Sequence, residues 1–308
     1  RDLHLSLRRQ RQMCIRDRIK MINSSFTVRN ITGGRMPILV RNNSVTKCKE
    51  APGVVSQLLM DEQRTGDNRI KITRFEFTNS ECFSLNTKGS SLVWLMPLCE
   101  NLSLNNFELI YENLLIIPPS SRIDIEGKVG DKFVLYEVPK ANRFFSTDEN
   151  FLDKLKVIDW SIEPVLLSEF DSRKRIYLAS PILWEGIQCV KGEMIIYPKG
   201  GSAPTHHHEN AEHFQIVLKG SGSVTFDNKT EVLHEGDIIY FFENEVHSFV
   251  NDQSDLFIFA EFFIPGDYKT IWADQSTVCT WHPTGKDLHD RTASRQIAKH
   301  VAGQGTDI

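Results

Sequence analysis

The sequence predicts an all-β chain built as two barrels or sandwiches in series, and three observations carry that expectation. Short apolar or alternating runs of 4 to 8 residues recur, separated by Asn, Gly, Ser and Pro, the signature of strands joined by turns. The pattern comes twice, over about residues 50–145 and 181–270, on either side of a more polar stretch. A length of 308 residues also suits two domains of roughly 150 residues each.

In the first half the strand runs are Ile70–Phe77, Ser91–Leu98, Phe107–Ile110, Leu114–Ile117 and Lys132–Val138. Residues 146–180 read as a short, partly helical linker containing Phe151, Leu152, Leu155, Val157 and Ile158. The strands resume with Gly192–Tyr197, His213–Leu218, Gly222–Phe226, Asp237–Phe242, Val246–Val250 and Leu256–Phe263. The tail, residues 271–308, is mixed, with a helix expected over Thr292–Val301 and Gly303 as its stop.

Composition narrows the function classes. Net charge is −4, with 36 Lys and Arg against 40 Asp and Glu, and no basic cluster stands outside the first twenty residues. Nucleic acid is therefore not an expected partner. No run of about 18 apolar residues is present, so no membrane partner is expected either. The six cysteines (Cys14, Cys48, Cys82, Cys99, Cys189, Cys279) form no CxxC pair, which argues against a thiolate zinc site, a redox motif or a disulfide scaffold. With no secretory signal visible, the expected location is cytoplasmic. Residues 1–18, RDLHLSLRRQRQMCIRDR, carry an Arg excess that the rest lacks. They resemble translated sequencing-adapter read-through, and residues 1–20 are expected to be artefactual or disordered.

The second half holds the chemistry. In GGSAPTHHHENAEHFQIVLKG, His206 and His208 are two apart and so share one face of a strand, while His207 faces the other way. His213 follows, opening HFQIVLKG, and His247 sits on the return strand of GDIIYFFENEVHSFVN. Four imidazoles on adjacent antiparallel strands can converge on one ion, and imidazole suits Fe, Zn, Cu, Ni and Mn.

These residues resemble the cupin superfamily. Its first motif is glycine, five residues, His-x-His, three or four residues, Glu, six residues, glycine; Gly200, His206, His208 and Gly220 match. Its second is glycine, five residues, Pro-x-Gly, two residues, His, three residues, Asn. Gly236, His247 and Asn251 match, with Phe242 and Asn244 in place of the proline and second glycine. The resemblance implies a jelly roll, or double-stranded β-helix, with a metal pocket. It departs at the acidic ligand, because the residue separated from Gly220 by six others is His213, not Glu212. The expected metal set is His206, His208, His213 and His247, with Glu212 as the alternative to His213.

The first half repeats the pattern without the ligands: Pro118, Ser120 and Ile123 fall where Phe242, Asn244 and His247 fall, with Leu85, Thr87 and Leu92 upstream. The whole reads as a bicupin with a degenerate N-terminal barrel. Gln215, Tyr240 and Glu261 are the candidate catalytic groups, Gln215 to orient a substrate oxygen and the others as acid–base or hydrogen-bonding groups. Tyr197 is a further candidate for the same role. An all-histidine cupin site implies an Fe(II) dioxygenase acting on a small anionic or phenolic molecule. Non-redox lyase, decarboxylase or isomerase chemistry and a ligand-binding cupin without catalysis remain open, as do Zn, Mn, Ni or Cu in place of iron. A homodimer or higher homo-oligomer is also expected.

Overall fold

Each alternating run becomes a strand because one face must be buried, and each unbroken apolar run because both must be. The computed structural model describes residues 35–308, apart from Asn106, Thr147, Asp148 and residues 303–307. The adapter-like segment 1–20 and Gly303 thus lie outside the described residues.

The N-terminal barrel closes a seven-stranded sheet over a four-stranded one. The larger sheet runs, in spatial order, Lys156–Asp159, Asn113–Ile117, Leu92–Pro97, Lys132–Val138, Lys71–Phe77, Val54–Met60 and Cys48–Ala51. The smaller contains Glu81–Asn86, Arg122–Gly127, Asn101–Leu104 and Phe107–Ile110. Phe75, Leu95 and Phe133 of the first sheet meet Phe83, Leu102 and Ile125 of the second inside the barrel.

The C-terminal barrel is built the same way from a nine-stranded and a five-stranded sheet. The larger includes Ile238–Phe241, Glu212–Lys219, Leu256–Ile264, Lys191–Pro198 and Lys174–Ala179 as successive neighbours. Its outermost strand is Ile38–Val40 from the start of the described chain, paired with Ile238–Phe241. The smaller sheet holds Ser202–Glu209 and His247–Val250 side by side. Both halves thus form cupin-like jelly rolls, an all-β fold as the sequence predicts.

The two large sheets stack back to back through a shared apolar layer. Trp94 stacks on Tyr136 at 5.1 Å, Tyr136 on Phe214 at 5.6 Å, and Phe262 lies 5.2 Å from Trp94. Leu92–Pro97 and Asn113–Ile117 are consequently buried at every position, which is why they read as continuous apolar runs rather than alternating ones. Trp94→Ala should destabilise the protein by about 3–5 kcal/mol, the range for deleting a buried Trp, measured by urea unfolding. A loss below about 1 kcal/mol would mean that the layer between the barrels contributes little.

Three sequence expectations need correction. No helix forms over Thr292–Val301; the segment is irregular up to the short strand His300–Val301. Tertiary contacts tie the segment to its neighbours instead: the amides of Ala293 and Ser294 donate to Gly285 and Ile162 carbonyls, and Arg295 pairs with Glu163. Residues 146–180 are less a helical linker than strand. Lys156–Asp159 edges the first barrel's sheet, Leu166–Ser168 and Lys174–Ala179 belong to the second, and among the described residues the helical content is one 3-10 turn at Trp160–Ile162. Leu92, aligned with His213, faces the layer between the barrels; its neighbour Val93 faces the barrel interior. Among the described residues no helix is long and apolar enough to cross a membrane.

Candidate metal centre

Four histidines converge between the two sheets of the C-terminal barrel. His206 and His208 lie on Ser202–Glu209 and His247 on the adjacent strand, with His206 opposite His247 in the pairing. His213 comes from the facing sheet, on Glu212–Lys219. An irregularity in the pairing between Ala203 and His206 sits just upstream, where a bulge re-aims side chains. The turn before His247 needs a left-handed residue: Asn244 adopts φ 67°, a conformation asparagine tolerates well. Ser120, its counterpart in the first barrel, has φ 57°, so the internal repeat extends to the backbone.

Donor atoms of His206, His208 and His247 all lie within 4.8 Å of one another, as do those of His208, His213 and Glu261. Ring centroids are 4.4 Å apart for His206–His247, 4.6 Å for His208–His213 and 5.0 Å for His213–His247. His206 Nδ1 lies 2.6 Å from the Pro204 carbonyl and His247 Nδ1 2.8 Å from the Glu245 carbonyl. A carbonyl can only accept, so each Nδ1 carries the proton and each Nε2 presents a bare lone pair. Thr270 Oγ1 holds His208 Nδ1 at 3.2 Å. His247 Nε2 and both His213 ring nitrogens are buried without a hydrogen-bond partner. Oriented, buried and unpartnered imidazole nitrogens are what a divalent ion requires.

Electrostatics point the same way. Burial holds the histidines neutral, with His206 down to about 4 and His208, His213 and His247 well below the ordinary imidazole value. A neutral imidazole is the metal-binding form.

The remaining candidates separate by face. Adjacent strand residues point to opposite sides, so while His213 and Gln215 enter the barrel, Glu212 turns to the seam between the barrels. There it accepts from the Tyr240 hydroxyl and lies 3.4 Å from Arg69. Tyr240 therefore belongs to the seam and not to the histidine cavity. Gln215 donates to Glu261 Oε1 at 2.7 Å, and Glu261 Oε1 lies 3.5 Å from His213 Nε2. Burial first, then the neighbouring Glu193 carboxylate, raises the Glu261 carboxyl to about 8. Tyr197 lines the cavity with its hydroxyl 3.4 Å from Arg173. Asn251 anchors a turn by donating to the Tyr197 carbonyl at 2.8 Å.

The cavity beside the histidines is about 40 Å³, room for a few waters or one small anion. Its wall includes groups the sequence reading passed over. Arg175 pairs with buried Glu193 at 2.9 Å and lies 4.3 Å over the Trp281 ring, and Arg173 reaches the Cys279 sulfur at 3.2 Å. Arg175 Nε, Glu193 Oε2, Gln215 Oε1 and the indole nitrogens of Trp272 and Trp281 are all buried and unpartnered. A signal existed: Arg173, Arg175 and Tyr177 alternate along one strand face, where an inward-facing strand row is ordinarily apolar. The polar linker assigned to that region concealed it. His300, which has no ligand-type spacing in the sequence, is buried 2.7 Å from the Tyr177 hydroxyl.

Residues 193–261 match the family model of the cupin domain. The C-terminal barrel carries a cupin domain. Among solved structures the chain is similar to Lactobacillus farciminis oxalate decarboxylase in its formate complex, with a TM-score of 0.62, 12% identity, and 78% of this chain and 89% of that one covered. A Bacillus subtilis oxalate decarboxylase variant gives a TM-score of 0.60 at 13% identity, covering 81% and 82%. A further structure of the Bacillus enzyme, studied for its Mn(II) centres, gives 0.61 at 12% identity, with the same coverage. These likenesses establish the bicupin fold, and they lend the expected iron and dioxygenase chemistry no support. No curated protein sequence matches the chain significantly.

Proposed function

We propose that the chain is a metal-dependent cupin enzyme that works on a small anion by proton transfer, as a decarboxylase or related lyase, rather than as an oxygenase. The observation that carries this reading is the buried Glu261 carboxyl, hydrogen-bonded by Gln215 and 3.5 Å from His213. It places an acid–base group within reach of the histidine cluster. The oxalate decarboxylases similar in fold, one studied for Mn(II) centres, support the same class.

In this reading His206, His208, His213 and His247 hold a divalent ion. Four neutral ligands leave its charge uncompensated, so an anion is the natural next ligand, and the ion serves as Lewis acid toward it. Arg175 and Arg173 add positive charge along the cavity wall, largely matched by Glu193 and Asp171. In the metal-free site burial and Glu193 raise the Glu261 carboxyl to about 8 and so favour its protonated form. It is thus suited to act as general acid toward a substrate carbon or oxygen, with Gln215 fixing the carboxyl's orientation. The apolar wall from Phe249, Phe259 and Phe263 limits competing water.

Metal analysis and anaerobic assay test this together. Protein reconstituted with Mn(II), Fe(II), Zn(II) and Ni(II) is screened against small mono- and dicarboxylates with and without oxygen. Turnover without oxygen consumption is the expected result; strict dependence on Fe(II) with stoichiometric oxygen uptake would replace the lyase reading with the oxygenase one. Loading the ion at a hundredfold over Kd should also raise Tm by roughly 5–10 °C through binding to the folded state alone. A chelator should reverse the rise, and no shift with any of the four ions would contradict a metal site.

A further inference from the structure

The N-terminal barrel retains the form of a binding site after losing its ligands. Leu85 lies opposite Ile123 in the pairing of its small sheet, as His206 lies opposite His247 in the other barrel. A barrel kept only as scaffold would fill the space so vacated, because protein interiors pack to the density of organic crystals. Instead it contains a cavity of about 190 Å³, against about 40 Å³ beside the histidines.

The cavity is two-sided. Phe75, Phe83, Leu85, Val93 and Leu135 make an apolar wall, with Phe75 and Phe83 in contact at 5.2 Å as one aromatic surface on which a ring can pack. On the polar side Lys71 and Lys88 share one carboxylate, Glu137, at 4.0 and 3.7 Å. Both lysine side chains are substantially exposed, at 47% and 74%, and so are free to turn toward a ligand. Glu137 is held in place by the Ser91 hydroxyl at 2.8 Å. The other acid on the wall, Glu50, accepts from Ser56 at 2.9 Å.

We propose that this cavity is a second, metal-free site that binds a small aromatic monocarboxylate. Its ring packs against Phe75 and Phe83 and its carboxylate lies between Lys71 and Lys88. Glu137 and Glu50 balance the two ammonium groups in net charge, so a carboxylate is held by the local placement of both ammonium groups and not by a net positive field, and a dianion is disfavoured. The site shares no residue with the histidine cluster and does not depend on that centre's chemistry.

Benzoate, benzamide and benzylamine have nearly the same shape and differ in charge, so they make a direct probe set. Their binding to the full chain is measured by saturation-transfer NMR and calorimetry, beside three variants. Benzoate is expected to bind at least about tenfold more tightly than the other two, the scale of one charge-assisted hydrogen bond. Lys71→Ala/Lys88→Ala should weaken it by a similar factor, Leu135→Trp should block it by filling the cavity, and His206→Ala/His247→Ala should leave it unchanged. Should Leu135→Trp fail to fold, the lysine variant decides, since it alters exposed side chains only. The proposal fails if benzoate does not bind, if benzamide binds equally well, if the lysine variant retains full affinity, or if binding is lost with the histidines.

Discussion

His206→Ala/His247→Ala is expected to abolish metal binding and, with it, essentially all turnover. The two residues lie opposite each other in adjacent strands, and each has its Nδ1 committed to a backbone carbonyl, so their Nε2 atoms are preset for a ligand. Removing both leaves His208 and His213, two of the four proposed donors. Elemental analysis of protein purified without a tag reads the result directly: near-stoichiometric metal in the parent and a trace in the variant. Both imidazoles are buried and packed, His247 stacked 4.2 Å from Phe241 and His206 5.1 Å from Trp272, so the variant also loses stability to the cavities left behind, and its fold is checked by circular dichroism before the metal count is read. A variant that retains a full equivalent of metal would show that the ion sits elsewhere.

Glu261→Gln should cut kcat by about 10²–10⁴-fold, the usual contribution of a positioned general acid, while metal content stays unchanged. The pairing of the two readouts matters, because Glu261 also lies within 4.8 Å of the His208 and His213 donors. If the carboxylate is itself a ligand, the variant loses metal as well, and the acid assignment falls. The pH profile supplies the sign. A carboxyl raised to about 8 by burial and by Glu193 is protonated below that pH and ionised above it. A general acid is therefore fully active on the acid side and loses activity as pH rises through the folded pKa. A bound cation favours the ionised form and moves that limb downward, so it falls at or below pH 8. Glu261→Gln should flatten the limb, whereas a limb rising with pH would mark Glu261 as a base.

Much of the fold was readable because its strands obey local rules. Phe107–Ile110 and Lys132–Val138 occur with the expected bounds, and the two-residue period separates His206 and His208, which enter the barrel, from His207, which does not. The same period separates His213 from Glu212, a choice that motif spacing left open and strand face bears on directly. What failed locally failed for tertiary reasons. Thr292–Val301 has helical propensity, but the Ala293 and Ser294 amides bond Gly285 and Ile162 and Arg295 pairs with Glu163, contacts that tie the segment to the neighbouring chain in an irregular path. Tyr240 looked like an acid–base candidate near the metal motif, yet strand alternation sends its hydroxyl to Glu212 in the seam.

The fold class, the twofold repetition and the candidacy of the four histidines were legible along the chain, because each rests on the spacing of residues along one or two strands. That Arg175, Glu193, Trp272 and Trp281 share a cavity with His206 and His208, and that a larger cavity survives in the first barrel, follows from the way the sheets close. These residues come from strands far apart in the chain that become neighbours only when the sheets close. No local period encodes that closure; it follows from burying the inner faces of both sheets at once.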